Sequence, residues 1–497
     1  MSRIDVSLKD RFDLTRSPVL LNGTQALLRM MLMQKARDRA AGFNTAGYVS
    51  GYRGSPLGAV DQQMMREAAL LGENDIRFQP GLNEDLAATA IWGTQQAELR
   101  GEGLFGGVFA LWYGKGPGVD RSGDVMRHAN MAGTSPLGGV VMAMGDDHTG
   151  ESSTVLHQSD WAMVDAYMPV VSPAGVQEIM DYGLYGWALS RFAGVWVGLK
   201  AVKDTVEATA VVDGDPFRLN FVTPDFPMPE GGLNIRLGDT PVDQEARMID
   251  HKRFAAEAFA RANRIDKRVW GRPGAKIGLV AAGKNWLDLV HALDLLGIDA
   301  AEAERLGITT YKIGQVFPLD MTSFHEWAEG LDLIVVVEEK RKLIEVQVKE
   351  SIFDDRRGRR VYGWKKGGSG TELFPTRFAL DPVMIAEKIG SILTEEGRGT
   401  EAIKAGLARL EKARLADNAP EIAQRRPWFC SGCPHNSSTK LPEGSRAYAG
   451  IGCHYMVQWM DRETSGFTHM GGEGANWIGE APFSTRQHVF QNIGDGT

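Results

Sequence analysis

The first part of the chain alternates short apolar runs with longer amphipathic ones, which is the pattern of an α/β protein. Residues 24–39 place leucine and methionine at helical spacing, and an apolar run at residues 44–52 then predicts a strand. Further strands are predicted at residues 106–113, 138–145 and 195–201. Strand–loop–helix alternation of this kind predicts a parallel sheet covered by helices.

A second α/β pattern follows a Pro- and Gly-rich stretch at residues 225–245, which has the character of a linker. Its predicted elements are strands at residues 276–282, 311–317 and 333–338, a helix at residues 287–296, and a charged helical stretch at residues 382–417. A third pattern begins at residue 425. The predicted organisation is therefore residues 1–225, a connecting segment 226–274, a second domain 275–417, and the start of a third domain 425–497.

Composition narrows the class of protein. Glycine accounts for 59 of 497 residues, well above the usual share of about 7%, which indicates many tight loops whose backbone can approach a phosphate. The net charge of −8 argues against a nucleic-acid or anionic-membrane partner. The apolar stretches are too short to span a membrane and the charged amino terminus is not a secretory signal. These features predict a cytoplasmic protein.

All three cysteines fall in one short window. Cys430 and Cys433 are separated by two residues, and Cys453 follows after nineteen more. This clustering argues against a disulfide framework and favours a reducing compartment. Thiolates suit both iron–sulfur clusters and zinc, so two interpretations stay open: an Fe–S cluster, or a structural Cys₃His zinc site completed by His435 or His454. Three cysteines cannot by themselves complete a Cys₄ cluster.

Gly494-Asp495-Gly496 follows a strand-like run at residues 488–493. A carboxylate at a strand end can hold Mg²⁺ that bridges two phosphates, although Asp-Gly is also the commonest hairpin turn. A second glycine-rich run, with Gly472 and Gly474, lies about twenty residues earlier. The pattern predicts half of a Mg²⁺–diphosphate loop.

Glu84 begins a predicted Ala-rich helix that extends to residue 99. An acidic residue in a first helical turn commonly just complements the helix dipole. The functional alternative is a glutamate that hydrogen-bonds the aminopyrimidine ring of thiamine and promotes activation of the cofactor. Such a glutamate belongs in a different domain from the diphosphate loop, and Glu84 and Asp495 satisfy that requirement.

Other polar residues follow predicted strands. Ser55 lies in the turn after the first strand, where open α/β sheets bind ligands, and its hydroxyl can contact a substrate carboxylate. Lys115 can pair with an anion, although its Gly-Lys-Gly-Pro surroundings are not a P-loop. Residues 146–148 and His157 are predicted either to line a site or to form a solvated loop. Glu338-Glu339 is interpreted as a strand-end charge cluster rather than an acid/base pair.

In their order along the chain, these motifs resemble the 2-oxoacid:ferredoxin oxidoreductases, and more closely the N-terminal portion of the indolepyruvate ferredoxin oxidoreductases in their long fused bacterial form. The resemblance implies thiamine-diphosphate-binding, transketolase-like α/β domains: pyrimidine-binding at residues 1–225, transketolase-C-like at 275–417, and diphosphate-binding from residue 425. It makes Glu84 the thiamine-activating glutamate, Ser55 a residue near the substrate and Asp495 a Mg²⁺ ligand. It makes Cys430, Cys433 and Cys453 three of the four ligands of a [4Fe–4S] cluster.

The implied reaction is oxidative decarboxylation of indolepyruvate or another arylpyruvate to an acyl-coenzyme A, with electrons passed through the cluster to ferredoxin. The implied assembly is a homodimer of the full-length protein. A fourth cluster cysteine, a second Mg²⁺ ligand and a gamma-type domain are missing from the sequence, so we expect the 497-residue chain to be inactive alone. Two alternatives remain: a non-oxidative thiamine-dependent decarboxylase, and a non-catalytic fragment with a structural zinc site.

Overall fold

The structure, a computed structural model, describes residues 7–151, 153–417, 423 and 425–493. The chain separates into two compact units, residues 1–411 and residues 412–497. Within the described ranges, no helix is both long and apolar enough to cross a membrane. The first unit is built on two large, mainly parallel sheets, as the sequence predicts for an α/β protein.

The strands of the first unit, in chain order, are β1 (Val19–Asn22), β2 (Thr45–Gly51), β3 (Ile76–Phe78), β4 (Gly107–Lys115), β5 (Val140–Gly145), β6 (Val170–Val171), β7 (Trp196–Lys200), β8 (Thr209–Val212), β9 (Lys267–Arg268), β10 (Ile277–Ala282), β11 (Ile308–Ile313), β12 (Gln315–Phe317), β13 (Leu333–Val337) and β14 (Arg360–Tyr362).

Its α-helices are α1 (Gly23–Ala40), α2 (Ala59–Arg66), α3 (Ala68–Glu73), α4 (Glu84–Thr94), α5 (Gly116–Arg121), α6 (Gly123–Ala132), α7 (Asp160–Asp165), α8 (Val176–Ala193), α9 (Lys203–Val206), α10 (Pro241–Arg247), α11 (Arg253–Asn263), α12 (Gly283–Leu295), α13 (Ala300–Arg305), α14 (Met321–Ala328), α15 (Leu343–Ile352), α16 (Pro382–Glu395) and α17 (Glu401–Asp417), the last of which extends past residue 411.

The larger sheet has seven strands in the order β12-β6-β7-β5-β4-β2-β3. Neighbouring strands are parallel, except that β12 is antiparallel to β6. From β2 the chain moves outward to β3, then returns to the other side of β2 as β4 and continues to β5. The winding direction therefore reverses between β2 and β4. The crevice at the carboxyl ends of these two strands is the topological switch point, where open α/β sheets bind ligands.

Helices cover both faces of this sheet because its central strands are apolar on both sides. Along β4, Phe109, Leu111 and Tyr113 pack with α1 and α8 on one face. Ala110 and Trp112 point to the opposite face, into a core that includes α4 and α6. Because successive side chains of a strand point to opposite faces of the sheet, helices cover β4 on both faces.

The second sheet has five strands in the order β14-β13-β10-β11-β9, and only its edge strand β9 is antiparallel. Helices α12 and α16 cover one face through residues such as Leu289 and Ile389. The other face carries Val280 and Val336, which belong to the same core as Ala110 and Trp112 of the larger sheet. A single hydrophobic core therefore joins the two sheets of the first unit.

The sequence predicts one strand at residues 311–317, whereas the structure has two strands in different sheets. β11 pairs with β10, and β12 pairs with β6. Between them, the backbone N–H groups of Gly314 and Gln315 donate to the buried carboxylate of Asp266, at 2.7 and 3.0 Å. A Cβ at residue 314 would lie 2.5 Å from the Ile265 side chain, so the crossing requires glycine.

Two predicted helices also differ from the observed ones. The stretch at residues 382–417 is two helices, α16 and α17, interrupted at Gly397, whose φ of 71° favours glycine. Helix α4 ends at Thr94 rather than at residue 99. The next side chain, Gln95, leaves the helix to donate to the Val108 carbonyl at 2.8 Å and to accept from the Gly139 amide at 2.9 Å.

The second unit carries three short parallel strands, β15 (Ala447–Ala449), β16 (Thr464–Phe467) and β17 (Phe490–Gln491), in the order β16-β15-β17. Its short helices are α18 (His435–Ser438) and α19 (Ala475–Glu480). A small core contains Phe429, Ala449, Val457 and Met460.

Candidate active site

The switch point of the larger sheet brings together three residues that the sequence predicted for a site. Ser55 lies in the turn after β2, Lys115 ends β4, and Glu84 begins α4. The turn after β2 packs on β4, because a Cβ at Gly54 would lie 3.2 Å from Cβ of Lys115. Lys115 and Glu84 are close enough for the charge of each to shift the pKa of the other.

Glu84 is a buried carboxyl group at a helix N-terminus. The Asn83 side chain caps α4 by accepting from the Leu86 amide at 2.9 Å, and Trp112 Nε1 donates to the Glu84 carbonyl at 3.1 Å. Glu84 is only 2% exposed. Burial raises the pKa of Glu84 above its ordinary value, although the charges of Arg121 and Lys115 oppose the shift. The environment therefore favours a carboxyl group that retains its proton.

Two glycines let the backbone of α5 lie directly against site side chains. A Cβ at Gly118 would be 2.4 Å from Cγ of Glu84, and a Cβ at Gly116 would be 2.4 Å from Cγ of His157. Both separations are far below an ordinary carbon–carbon contact of about 3.5–4.0 Å. Any other residue at these positions would displace its neighbour, a constraint that sequence reasoning missed.

Lys115 is half-buried and lies near two carboxyl groups. Burial lowers the pKa of Lys115, while the charges of Asp147 and Glu84 raise it in opposition. Asp147 follows β5, the strand beside β4, and its Oδ1 accepts from the Gly150 amide at 3.0 Å. Lys115 thus lies within electrostatic reach of a carboxyl group on α4 and of a carboxylate on the loop after β5.

A second polar contact lies at the end of β4, near the turn that carries Ser55. The Tyr113 hydroxyl hydrogen-bonds Asp61 Oδ1, and burial raises the pKa of both groups. Arg53, in the turn itself, lowers the pKa of Asp61 by its charge. Ser55 is half-buried. This contact ties helix α2 to β4.

His157 is held as a cation by two carboxylates. Its Nε2 donates to Asp120 Oδ2 at 2.7 Å and its Nδ1 lies 3.3 Å from Asp146 Oδ1. Burial alone would lower the pKa of His157, but these two hydrogen bonds raise it to about 9. Ser159 donates to the same Asp146 carboxylate from its amide at 2.9 Å and its hydroxyl at 2.6 Å. Because residues 146–148 and His157 are buried, the alternative of a solvated loop does not hold for them.

The ends of the two sheets meet through His148 and Glu339. His148 Nδ1 lies 2.5 Å from Glu339 Oε1, and the other carboxylate oxygen accepts from Asn285 Nδ2 at 3.0 Å and the Leu380 amide at 2.9 Å. Burial would raise the pKa of Glu339, but the hydrogen bond from His148 and the charge of Lys284 hold it well below its ordinary value. The sequence carries no local signal for this pairing, since 191 positions separate its two residues.

Glu338, the neighbour of Glu339, has a different role. Its carboxylate accepts from the backbone amides of Leu343, Ile344 and Glu345 at 3.0, 2.8 and 3.1 Å, at the start of α15. Burial raises the pKa of Glu338 to about 7. The two glutamates therefore serve separate partners and do not form an acid/base pair.

In the second unit, Cys430 and Cys453 are exposed free thiols and Cys433 is half-buried. Burial lowers the pKa of His454 to about 4, and its Nδ1 accepts from the Gly450 amide at 2.9 Å. Over residues that the structure describes, no three His, Cys, Asp or Glu side chains are arranged to hold a metal ion. The metal interpretations, Fe–S cluster and zinc, therefore rest on the spacing of the cysteines.

The predicted diphosphate loop is only partly described. Gly474, with φ of 85°, precedes α19, and a Cβ at Gly472 would lie 2.4 Å from the His469 ring. Gly494, Asp495 and Gly496 lie outside the described residues.

Comparison with known proteins places these features in a family context. Residues 267–417 match the model of the indolepyruvate oxidoreductase domain. The chain is 23% identical to the indolepyruvate oxidoreductase subunit IorA of Pyrococcus abyssi, over 84% of this chain and 58% of the relative. It is 24% identical to the same subunit of Methanothermobacter marburgensis, over 82% of this chain and 59% of the relative. The chain thus spans under two thirds of the length of these relatives.

Among solved structures, the chain is similar to 2-oxoglutarate:ferredoxin oxidoreductase from Magnetococcus marinus, solved with 2-oxoglutarate, coenzyme A and succinyl-CoA bound. The TM-score is 0.53 at 14% identity, over 76% of this chain and 65% of that chain. This likeness shows a shared fold and agrees with the predicted α/β class. The resemblance predicted from the sequence is confirmed: the chain is similar over most of its length to indolepyruvate oxidoreductase subunits, and residues 267–417 match the indolepyruvate oxidoreductase domain.

Proposed function

We propose that this chain contributes to a thiamine-diphosphate-dependent 2-oxoacid:ferredoxin oxidoreductase that acts on indolepyruvate or another arylpyruvate, with coenzyme A as acyl acceptor and ferredoxin as electron acceptor. One observation carries the proposal: Glu84 is a buried carboxyl group with a raised pKa at the switch point of a parallel sheet. Similarity to indolepyruvate oxidoreductase subunits supports the substrate class.

The residues around Glu84 fit the pyrimidine end of the cofactor. A neutral carboxyl group is both donor and acceptor, which is what a ring nitrogen and an amino group require. Gly118 lets the backbone lie against Glu84 and so restricts where the carboxyl group can move. We assign the diphosphate and Mg²⁺ to Gly494, Asp495 and Gly496, with Gly472 and Gly474 nearby in sequence, on the sequence pattern alone.

Thiamine diphosphate supplies the electron sink that decarboxylation of a 2-oxoacid needs. Glu84 holds a proton at its carboxyl group in a buried site and would donate it towards the cofactor ring nitrogen, becoming a carboxylate if the proton is transferred. Lys115 presents a positive charge for the carboxylate of the 2-oxoacid, and the Ser55 hydroxyl offers a further hydrogen bond to the substrate. The charge of Asp147 raises the pKa of Lys115 and so opposes the effect of burial.

We further propose that Cys430, Cys433 and Cys453 bind a [4Fe–4S] cluster, on the basis of their spacing and of the resemblance. Anaerobic purification tests this assignment separately from Glu84. Bound iron and sulfide in the protein that contains this sequence support it, whereas a colourless protein with stoichiometric zinc identifies the structural zinc alternative.

The proposal for Glu84 is tested by comparing Glu84→Gln with Asp85→Asn. The two residues are neighbours on α4, but the Asp85 side chain is 41% exposed and pairs with Arg121 at 3.2 Å. We expect Glu84→Gln to reduce phenylpyruvate-dependent reduction of a viologen dye by about 10²- to 10⁴-fold in the full-length protein, and Asp85→Asn to leave it unchanged. Wild-type turnover by Glu84→Gln would refute the assignment.

Product analysis in the same assay separates the reaction types. Coenzyme-A-dependent dye reduction supports the oxidative reaction, and release of aldehyde without dye reduction identifies a non-oxidative decarboxylase. We expect the 497-residue chain alone to be inactive, and robust turnover by it would contradict that expectation.

A further inference from the structure

Helix α5 contacts both His157 and Glu84 directly through its backbone. A Cβ at Gly116 would lie 2.4 Å from Cγ of His157, and a Cβ at Gly118 would lie 2.4 Å from Cγ of Glu84. Helix α5 has only six residues. A helix of this length is not stable by itself, so the contacts with its neighbours determine where its backbone lies.

His157 joins α5 to the loop after β5. Its Nε2 lies 2.7 Å from Oδ2 of Asp120, a residue of α5, and its Nδ1 lies 3.3 Å from Oδ1 of Asp146, the first residue after β5. The Asp120 side chain is 63% exposed. Asp146 is fully buried, and its carboxylate also accepts from the amide and the hydroxyl of Ser159. His157 therefore connects α5 to a buried carboxylate that is itself held in place.

This link requires both ring nitrogens of His157 to donate. Only an imidazolium ring carries two N–H groups, because a neutral ring has one donor and one acceptor. Whichever nitrogen keeps its proton, the other would place a lone pair against a carboxylate oxygen of Asp120 or Asp146. Burial would lower the pKa of His157, but the two hydrogen bonds raise it to about 9. The link is therefore complete at neutral pH and loses one hydrogen bond as the pH rises through about 9.

Cationic side chains from other elements lie near the link: Lys340 and Arg341 line the cavity beside His157, and Lys200 and His148 act by their charges on Asp146. Burial would raise the pKa of Asp146, but the hydrogen bond from His157 and these charges hold it below its ordinary value. Asp146 thus stays ionised at neutral and alkaline pH, and the link changes there through the proton of His157.

A second ion pair also connects α5 to its surroundings. Arg121 of α5 lies 3.2 Å from Asp85 of α4, but both side chains are 41% exposed. Exposed ion pairs of this kind contribute little to holding two elements together. The partly buried link through His157 is therefore the stronger of the two.

We propose that His157 is a positioning residue for Glu84: it joins α5 to the loop after β5, and the α5 backbone in turn holds the Glu84 carboxyl group in place. Given the proposed function, on which this role rests and in which Glu84 contacts the cofactor, His157 acts on the reaction through α5.

The first measurement is hydrogen–deuterium exchange in the 497-residue chain, which needs neither cofactor nor activity. We expect the α5 amides to exchange faster in His157→Gln than in the wild type at neutral pH. Asp120→Asn changes only the exposed end of the link and should act in the same direction, even if His157→Gln fails to fold. His128→Gln is the matched control, since its ring lies 3.4 Å from the exposed Asp124 on α6, and it should leave α5 unchanged.

The second measurement is phenylpyruvate-dependent viologen reduction by the full-length protein at neutral and alkaline pH. We expect His157→Gln to lower kcat about 10- to 100-fold, as for a catalytic group misplaced by up to about 1 Å, with KM unchanged. In the wild type, kcat should fall as the pH passes about 9, and His157→Gln should lack this fall. In the Glu84→Gln background, His157→Gln should cause no further loss.

Unchanged α5 exchange in His157→Gln and Asp120→Asn would overturn the proposal. Faster exchange with wild-type kcat would also overturn it, because the link would then be purely structural, as would a further loss of kcat in the Glu84→Gln background. A fall of kcat near pH 9 that persists in His157→Gln would assign it to another group, such as Lys340, whose pKa burial lowers, and would equally refute the role of His157. If the wild type shows no arylpyruvate-dependent dye reduction, the proposed function fails, and α5 exchange still decides whether His157 holds α5.

Discussion

Replacing Gly118 with alanine tests how closely the backbone of α5 must approach Glu84. The added Cβ would lie 2.4 Å from Cγ and 2.7 Å from Oε1 of Glu84. Ordinary contacts between carbon atoms are about 3.5–4.0 Å, so the two groups must separate by roughly 1 Å. Because a misplacement of about 1 Å costs a catalytic group on the order of 100-fold in rate, we expect a loss of about 2.7 kcal/mol in transition-state stabilisation.

The assay is arylpyruvate-dependent viologen reduction by the full-length protein, read as kcat/KM. Gly123→Ala is the matched control, since Gly123 lies five positions along the same segment and a Cβ there would meet no atom within 4 Å. We expect kcat/KM to fall about 100-fold in Gly118→Ala and to stay unchanged in Gly123→Ala. Overpacking also predicts that Gly118→Ala lowers the free energy of unfolding by about 1–3 kcal/mol.

Two outcomes would refute the reasoning in different ways. If Gly118→Ala retains both wild-type kcat/KM and wild-type stability, Glu84 is not held by α5. If stability falls while kcat/KM is unchanged, the contact is packing alone and the position of Glu84 does not govern the reaction.

Three further predictions concern stability. Arg29→Met should lower the free energy of unfolding by about 3 kcal/mol or more in urea titrations, because the buried guanidinium donates to the backbone carbonyls of Asp10, Arg11, Asp13, Arg16 and Gly214. The pKa of Glu339 is lowered on folding, so its contribution to the free energy of unfolding is present above pH 4.5 and is lost as the pH falls below that value. Glu339→Gln should therefore make the free energy of unfolding less dependent on pH in acid. The pKa of His157 rises from 6.5 to about 9 on folding, so its contribution to the free energy of unfolding is present below pH 6.5 and is lost as the pH rises to about 9. His157→Gln should remove this loss of stability between pH 6.5 and about 9. If the free energy of unfolding changes with pH equally in a variant and in the wild type, the corresponding prediction is contradicted.

Hydropathy pattern was sufficient to predict the elements that have one clear periodicity. Residues 24–39 form α1, and the apolar runs at residues 106–113 and 333–338 form β4 and β13 within a few residues. β13 is buried over its whole length and β4 and α1 over most of theirs, so the apolar pattern and the tertiary environment agree. Pattern failed at residue 314, because the residues on both sides of Gly314 are buried although they belong to different sheets. The carboxylate that binds the two amides at the crossing belongs to Asp266, which is distant in sequence.

The same distinction applies to the candidate site. Ser55 and Lys115 follow predicted strands, and the rule that ligands bind at the carboxyl ends of parallel strands selects Ser55. Glu84 was selected differently, as an acidic residue at the start of a predicted helix. The partners that set their chemistry were not accessible in this way. Gly118 is one of 59 glycines, and nothing in the sequence shows that a Cβ at this position would meet Glu84. Glu339 contacts His148 from the end of a strand in the other sheet. Such contacts depend on three-dimensional proximity, which one sequence does not encode locally.

The passage of the chain from β11 to β12 limits how this protein can be divided or can evolve. Only Gly314 lies between β11, a strand of the smaller sheet, and β12, the edge strand of the larger sheet. One continuous segment therefore pairs with both sheets. A fragment that stops before residue 315 would leave β6 with an unpaired edge, and we expect such a fragment to aggregate. The two α/β halves are therefore inseparable as modules: recombination, insertion or hinge motion between them must leave this one-residue connection intact.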